Sequence, residues 1–412
     1  MPHVPFLKAM KDASSDEPSW QALAAGYLVL RIFDDWLVIG PQRITTDMTF
    51  SNIFPTVAAL SDAYEQERRA LQAVLQMLTD APELNPNAVV GPLLSYAFIL
   101  ENRGSWLPAA DVYQTTVRAL EFPSAIPDPA SVALSQIRAG YCWANANDYE
   151  RAFESYTHAR TVAAYAKDAI LQSQARLCLA NLARARGDLP GAETMLDDLL
   201  ADSLAYSPEV AAMIQPNVLH SRGAVRQARG RYVEAIVDLY NAYLNTNDPL
   251  SRELILADLG ACASVAGYRD TARDALEVIV LSGRNTLARQ STIVNLIEIA
   301  VLDGDRAAFE RWRAEWQPAQ YNPLTNAYGN LFVARGIERF VGRNEAVSAF
   351  LEAARYAENA GIHQVQFEAL HDMERLHSLV SAEIPKATSV PPSLYHVAEA
   401  LADLRMCAAR DG

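Results

Sequence analysis

Glu368 and His371, in the stretch "FEALHDMERLH", stand three residues apart. On a helix that spacing turns a carboxylate and an imidazole to one side, as in carboxylate-bridged di-iron sites. Such a centre also needs a second pair and two further inward glutamates, which the chain does not supply. The two residues therefore read as a polar helix face in solvent, and no metal is expected. "NANDYE" holds Asn145, Asn147 and Asp148 but lacks the glycine and closing glutamate of a calcium loop, and reads as a turn between helices. In "RWRAEW", Phe309 just upstream, Trp312 and Trp316 share one helical stripe, the pattern of core packing rather than of a stacking surface. Cys142, Cys178, Cys262 and Cys407 lie far apart with no CxxC spacing, and are expected as free thiols filling small gaps. No phosphate-cradling glycine loop, nucleophile elbow or HExxH motif occurs, and the seven histidines have no paired nucleophile. Neither catalysis nor a cofactor is indicated.

The formal charge of −14 would repel polyanions, and the basic residues are almost all arginines, without a local cluster. Nucleic acid and anionic membrane are thus poor partners. The first twenty residues lack an apolar signal core, and the run "ALAAGYLVL" is too short to span a bilayer before Arg31 and Asp34. A cytoplasmic location is the expectation. Half of the residues are apolar, so 412 residues must fold as several domains or as an elongated array that adds core linearly.

The elements that must position any site repeat along the chain. "GYCWANANDYERAFESYTHA" (140–159) aligns with 181–200, 223–244 and 260–280, and less closely with 98–117, 297–316 and 335–354. Each copy predicts a helix, a short turn, and a second helix. The turn residues Gly104, Asn147, Gly187, Gly230, Gly267, Gly304 and Gly342 are separated by 43, 40, 43, 37, 37 and 38 residues, a loose helical-hairpin period. Small residues recur late in the first helix at Ala97, Gly140, Ala180, Gly223 and Gly260. Alanines recur early in the second at Ala109, Ala152, Ala192, Ala235 and Ala272, each followed one turn later by Tyr113, Tyr156, Leu196, Leu239 or Leu276. A hydrogen or methyl at a helix crossing lets two backbones approach, and the larger residue fills the groove beside it.

These positions resemble the tetratricopeptide-repeat family over about residues 88–360. The last two units depart from its pattern, with Ile297 and Arg335 at the small position and Phe309 and Val347 at the alanine, so those hairpins must splay or shift register. The resemblance implies an all-α, right-handed α-solenoid of about seven helical hairpins. A helical cap or bundle (1–87) would precede the repeats and capping helices (361–412) would follow them. Asn85, Asp128, Ser207, Asp248 and Asn322 each stand before a proline, an arrangement that caps a helix and presets its first φ. Pro216 should kink or split its helix. The stretch 41–50 reads as irregular, and Pro391-Pro392 as a loop.

In such stacks the first helices line a concave groove. Carried over position by position, the groove-facing residues are Tyr141 in the second unit, Gln174, Asn181 and Arg184 in the third, Asn217, His220 and Gln227 in the fourth, Asn295 and Glu298 in the sixth, and Asn330 in the seventh. Asparagine and glutamine both donate and accept, which suits capture of a peptide backbone, and Arg184 suits a carboxylate. Solvated helix surface is the competing reading. The function implied is a non-catalytic scaffold that binds a protein or extended peptide in its groove. Two alternatives stand beside it: a peptide-responsive regulator whose N-terminal bundle acts on a signalling partner, and an enzyme built on the solenoid.

Overall fold

The computed structural model describes residues 3–11, 13–15, 17–39, 48–80, 85–282, 286–316, 322–378 and 384–411. Among them the regular structure is helical throughout, with no strand. By contacts the chain forms two compact units, Met1–Ile214 and Gln215–Gly412. Most of the irregular stretch expected at 41–50 lies outside the described residues. No described helix is long and apolar enough to cross a membrane.

The first unit opens with α1 (Val4–Lys11), α2 (Pro18–Ile39), α3 (Met48–Ala58) and α4 (Glu65–Asp80). The hairpins α5/α6 (Val90–Asn102, Trp106–Leu120), α7/α8 (Pro129–Asn145, Tyr149–Tyr165) and α9/α10 (Ala169–Ala185, Leu189–Ser203) follow. One continuous core joins Phe6, Phe33, Trp36 and Leu75 of the opening helices to Tyr96, Tyr113, Trp143 and Tyr156 of the hairpins.

Helix α11 (Pro208–Ala228) runs unbroken through Pro216, so the expected split does not occur. The second unit contains α12 (Tyr232–Asn245), α13 (Pro249–Val265), α14 (Arg269–Ser282), α15 (Thr286–Asp303), α16 (Arg306–Glu315), α17 (Pro323–Phe340), α18 (Arg343–Asn359), α19 (His363–His377) and α20 (Tyr395–Asp411). Its core extends from Ala235 to Leu401. Instead of stacking beyond α19, α20 returns to α14, where Arg405 pairs with Asp274 at 3.0 Å and Glu277 at 3.2 Å.

The hairpins form for local reasons. Asp128, Asp248 and Asn322 accept a hydrogen bond from the third residue onward, each ahead of a proline at the first helical turn; Asn85 makes no such bond. At the α7/α8 turn Asn147 sits at φ 60°, Asp148 N–H donates to the Trp143 carbonyl and Asn147 N–H to that of Ala144. This left-handed cap satisfies the carbonyls that a helix end leaves open. The crossing rule holds in five units. A Cβ on Gly140 would lie 2.5 Å from the Tyr156 ring, one on Gly223 2.8 Å from Leu239, and one on Gly260 2.6 Å from Leu276. Ala109, Ala152, Ala192, Ala235 and Ala272 are fully buried. These are tetratricopeptide-like hairpins.

The last unit differs from expectation by register. Ala334, not Arg335, is the buried small residue of its first helix, and Ala346 with Phe350 replaces Val347 as the buried pair, while Gly336 holds a close approach to Phe309 of the preceding hairpin, where a Cβ would lie 2.0 Å from the ring. The spacing of twelve residues from Ala334 to Ala346 matches that from Gly140 to Ala152, so Val341 rather than Gly342 stands at the turn position and the whole unit is offset by one residue. All four cysteines are free, and burial pushes Cys142 and Cys262 up to about 12, as inert packing residues.

Candidate functional site

The second unit holds a cleft of about 700 Å³ whose walls come from four places. The α13–α14 turn gives Val265, Gly267 and Arg269. Helix α15 gives Glu298, Val301 and Leu302. Helices α17 and α19 give Arg335, Glu338, Arg339, His371, Asp372 and Arg375, and the segment entering α20 gives Ile384, Pro385 and Lys386. On α17 the charged residues recur three and four positions apart, as they do on α19, so two charged stripes face each other.

Those stripes form a ladder of alternating sign. Arg335 reaches Glu368 at 3.0 Å and Asp372 at 2.8 Å, and Arg375 reaches Asp372 at 3.4 Å and both Glu338 oxygens at 2.8 and 2.6 Å. Burial works against the Arg335 charge, but Asp372 and Glu368 outweigh it and raise its pKa. For Arg375 the hydrogen bonds to Glu338 lead and raise it likewise. Arg339 donates to the Val301 and Leu302 carbonyls at 2.6 and 3.3 Å, closing the end of α15. The buried Arg269 donates to the Leu302 carbonyl and to Asp303, both at 3.0 Å, and to the Pro385 carbonyl. The face carrying Glu368 and His371 is thus half engaged rather than merely solvated. His371 stays exposed, stacked on Phe367 at 6.3 Å.

Glu298 stands apart. Half-buried on α15, it has no hydrogen-bond or ion-pair partner among the described residues. Burial pushes its carboxyl up to about 7; Arg335 and Arg269 oppose that rise and Glu368 adds to it.

The segment 384–391 runs beside the cleft without regular secondary structure. Thr388 N–H donates to the Gly267 carbonyl at 2.9 Å, and Pro385 supplies the carbonyl bound by Arg269. Gly267, at φ +84°, presents that carbonyl from a left-handed turn that favours glycine.

The first unit has a different cleft, of about 560 Å³, floored by amides and hydroxyls. Gln114 donates to Gln136 at 3.0 Å and to Ser155 at 2.9 Å, and Gln136 meets His158 at 2.9 Å. At its edge the His3 ring, fully buried, places Nδ1 3.0 Å from Asp111 and Nε2 3.1 Å from Asp34. Burial alone would lower the His3 pKa, but the hydrogen bonds and charges of Asp111 and Asp34 outweigh it and raise it.

Of the ten residues expected in a groove, Tyr141, Gln174, Asn181 and Arg184 lie in the first unit and the other six in the second. Tyr141, Gln174, Arg184 and Asn217 are exposed, while Asn181, His220, Gln227, Asn295 and Asn330 are half-buried. Tyr141 packs edge-on against Trp106 at 5.9 Å, and His220 is bonded to Asp258 at 2.7 Å. Glu298 lines the cleft. Sequence reasoning passed over the Arg335–Asp372–Arg375 ladder, although the matched charge spacings on 335–339 and 368–375 signalled it. Nothing local signalled His3, whose partners lie 31 and 108 residues away. Among the described residues no cluster of His, Cys, Asp and Glu is arranged to hold a metal ion.

No family model matches the chain, and no curated protein does. Among solved structures it is similar to a Rap protein complexed with competence and sporulation factor, at 12% identity and TM-score 0.44, covering 89% of this chain and 99% of that one. It is similar to the Rap conjugation gene regulator of the plasmid pLS20 in complex with the Phr* peptide, at 12% identity and TM-score 0.42, covering 86% and 96%. A third likeness is to BtubC (BKLC) from P. vanneervenii, at 15% identity and TM-score 0.38, covering 55% and 90%. At such scores the functional reading rests on the clefts themselves.

Proposed function

We propose that this chain is a non-catalytic helical-repeat protein that binds an extended peptide or protein segment, and that the cleft of the second unit is where it binds. The observation that carries this reading is the chain's own segment 384–388, which lies there without regular secondary structure, with one main-chain N–H and one main-chain carbonyl engaged. A foreign strand offers the same donors and acceptors whatever its side chains, and Val265, Val301 and Leu302 supply apolar contact. The acidic and basic groups of the ladder neutralise one another, which suits a rigid wall better than proton transfer.

Val265 is 62% exposed, so a long charged residue there narrows the cleft without touching the core. Screening immobilised random decapeptides against the full chain should retain binders that Val265→Arg weakens by about tenfold or more. If no peptide is retained, or the variant binds equally, the cleft is not the site.

The regulator reading draws support from the N-terminus, where α1 is tied to Asp34 and Asp111 through the single imidazole of His3. If residues 1–87 act on a signalling partner under peptide control, hydrogen exchange across residues 4–11 should change on peptide binding. Unchanged exchange would leave the scaffold reading alone.

A further inference from the structure

The charged groups around the second-unit cleft divide sharply into those already engaged and those left over. Arg269 and Arg339 are spent on helix-end carbonyls, and Arg335, Arg375, Glu338 and Asp372 on one another. What remains for a ligand is the half-buried Glu298, with the exposed His371 and Lys386 at the rim. Glu298 projects from α15, the helix that also supplies the apolar residues Val301 and Leu302. A carboxyl in such a place, short of solvent and without a donor, gains most from a ligand group that brings both hydrogen-bond donors and positive charge.

We propose that Glu298 is the specificity determinant of the cleft and takes the ammonium or guanidinium of a basic side chain in the bound segment. The proposal rests on the peptide reading above. The segment already lying in the cleft carries a lysine, Lys386, among the lining residues. The neighbouring arginines do not forbid a cation, because the carboxylates of Asp303, Glu368, Asp372 and Glu338 offset the charges of Arg269, Arg335 and Arg375.

Binding a cation requires the ionised form of Glu298, whose carboxyl burial has pushed up to about 7. Affinity for basic segments should therefore rise from pH 6 to pH 8. The groups around Glu298 are Arg269 on α14, Arg335, Glu338 and Arg339 on α17, Glu368, His371, Asp372 and Arg375 on α19, and Lys386. The one imidazole among them is that of His371, so His371→Gln serves as the control.

The test uses three pools of synthetic decapeptides, random except for a central lysine, norleucine or glutamate, titrated against the full chain and Glu298→Gln. The lysine pool should bind about ten- to a hundredfold tighter than the norleucine pool, and Glu298→Gln should erase that preference while norleucine binding persists. The pH slope should persist in His371→Gln and vanish in Glu298→Gln. Should Glu298→Gln fail to fold, Glu298→Asp replaces it and should keep a reduced lysine preference. Equal binding of the lysine and norleucine pools, or a preference that survives Glu298→Gln, overturns the proposal but spares the peptide reading. Binding of no pool overturns both.

Discussion

In the first unit the buried His3 ring meets a carboxylate at each nitrogen, whereas in the second unit the Glu298 carboxyl lines a cleft with no partner among the described residues. The difference lies in how burial is compensated. An ionisable group taken from water raises the energy of its charged form unless opposite charges and hydrogen bonds replace the lost solvation. His3 has that replacement twice over and holds α1 in place. Glu298 lacks it, and its burial is a local defect in stability that a ligand could repair. The same contrast separates the Arg335–Asp372–Arg375 ladder, closed on itself, from the single open carboxyl next to it.

The largest effect that would break this comparison is at His3. Replacing it with alanine leaves Asp34 and Asp111 facing a void, although Arg118 still pairs with Asp34 at 3.2 Å. Undocking of α1 should become easier by about 3 kcal/mol, seen as lost hydrogen-exchange protection across residues 4–11. The pH dependence has a definite sign. The folded-state pKa of His3 is raised, so its contribution is complete below the ordinary histidine value and fades as pH rises through the raised one. Burial works against the Asp34 charge, but His3 and the arginines Arg118 and Arg31 outweigh it and lower its pKa. Its contribution is therefore present at neutral pH and lost on strong acidification. Protection of α1 that grows in alkali would show that the ring is not held as an imidazolium.

Much of this architecture is readable from sequence because a crossing helix leaves a chemical trace: only a hydrogen or methyl fits, and it recurs with the period. Gly140, Gly223 and Gly260 stand out in that way. The last unit breaks the pattern because Gly342 aligns with the turn glycines in sequence but not in conformation. Its φ of 164° is ordinary extended backbone, unlike Gly304 at 76°, and the true crossing residues Ala334, Ala346 and Phe350 lie one position before the aligned ones. Arg335 then looks like an intruder at a crossing, when it is the centre of the ladder. Glu298 is visible as the one charged residue within the apolar run Leu296–Val301, but its isolation depends on where α17 and α19 put their charges, which no local pattern encodes. The docking of 384–388 is not legible at all, since main-chain bonds leave no mark on side-chain identity.

The close approach of α17 to the preceding hairpin makes a prediction of intermediate size. In Gly336→Ala the new methyl would lie 2.0 Å from the Phe309 ring, forcing that fully buried ring or α17 to move. A loss of about 2 kcal/mol is expected in thermal melts. Gly91→Ala, whose added methyl would meet nothing within 4 Å, should be neutral or slightly stabilising. Equal melts for the two variants would show that the contact between α16 and α17 yields without cost.

The smallest effect is the most informative, because the substitution should stabilise where that at His3 destabilises, although both contributions fall as pH rises. An acid whose pKa is raised on folding keeps its proton in the folded chain while the unfolded chain has already lost it, so stability falls as pH rises from the ordinary glutamate value towards about 7 and then levels off. Glutamine has the same shape and no charge to desolvate. Glu298→Gln should therefore leave stability near pH 5 almost unchanged and raise it above pH 7 by at least about 1 kcal/mol, the size of one pKa unit. Denaturant melts at pH 5 and pH 8 decide it. A variant less stable than the parent at pH 8 would mean that the carboxylate has a stabilising partner, and the contrast with His3 would collapse into two examples of the same structural pin.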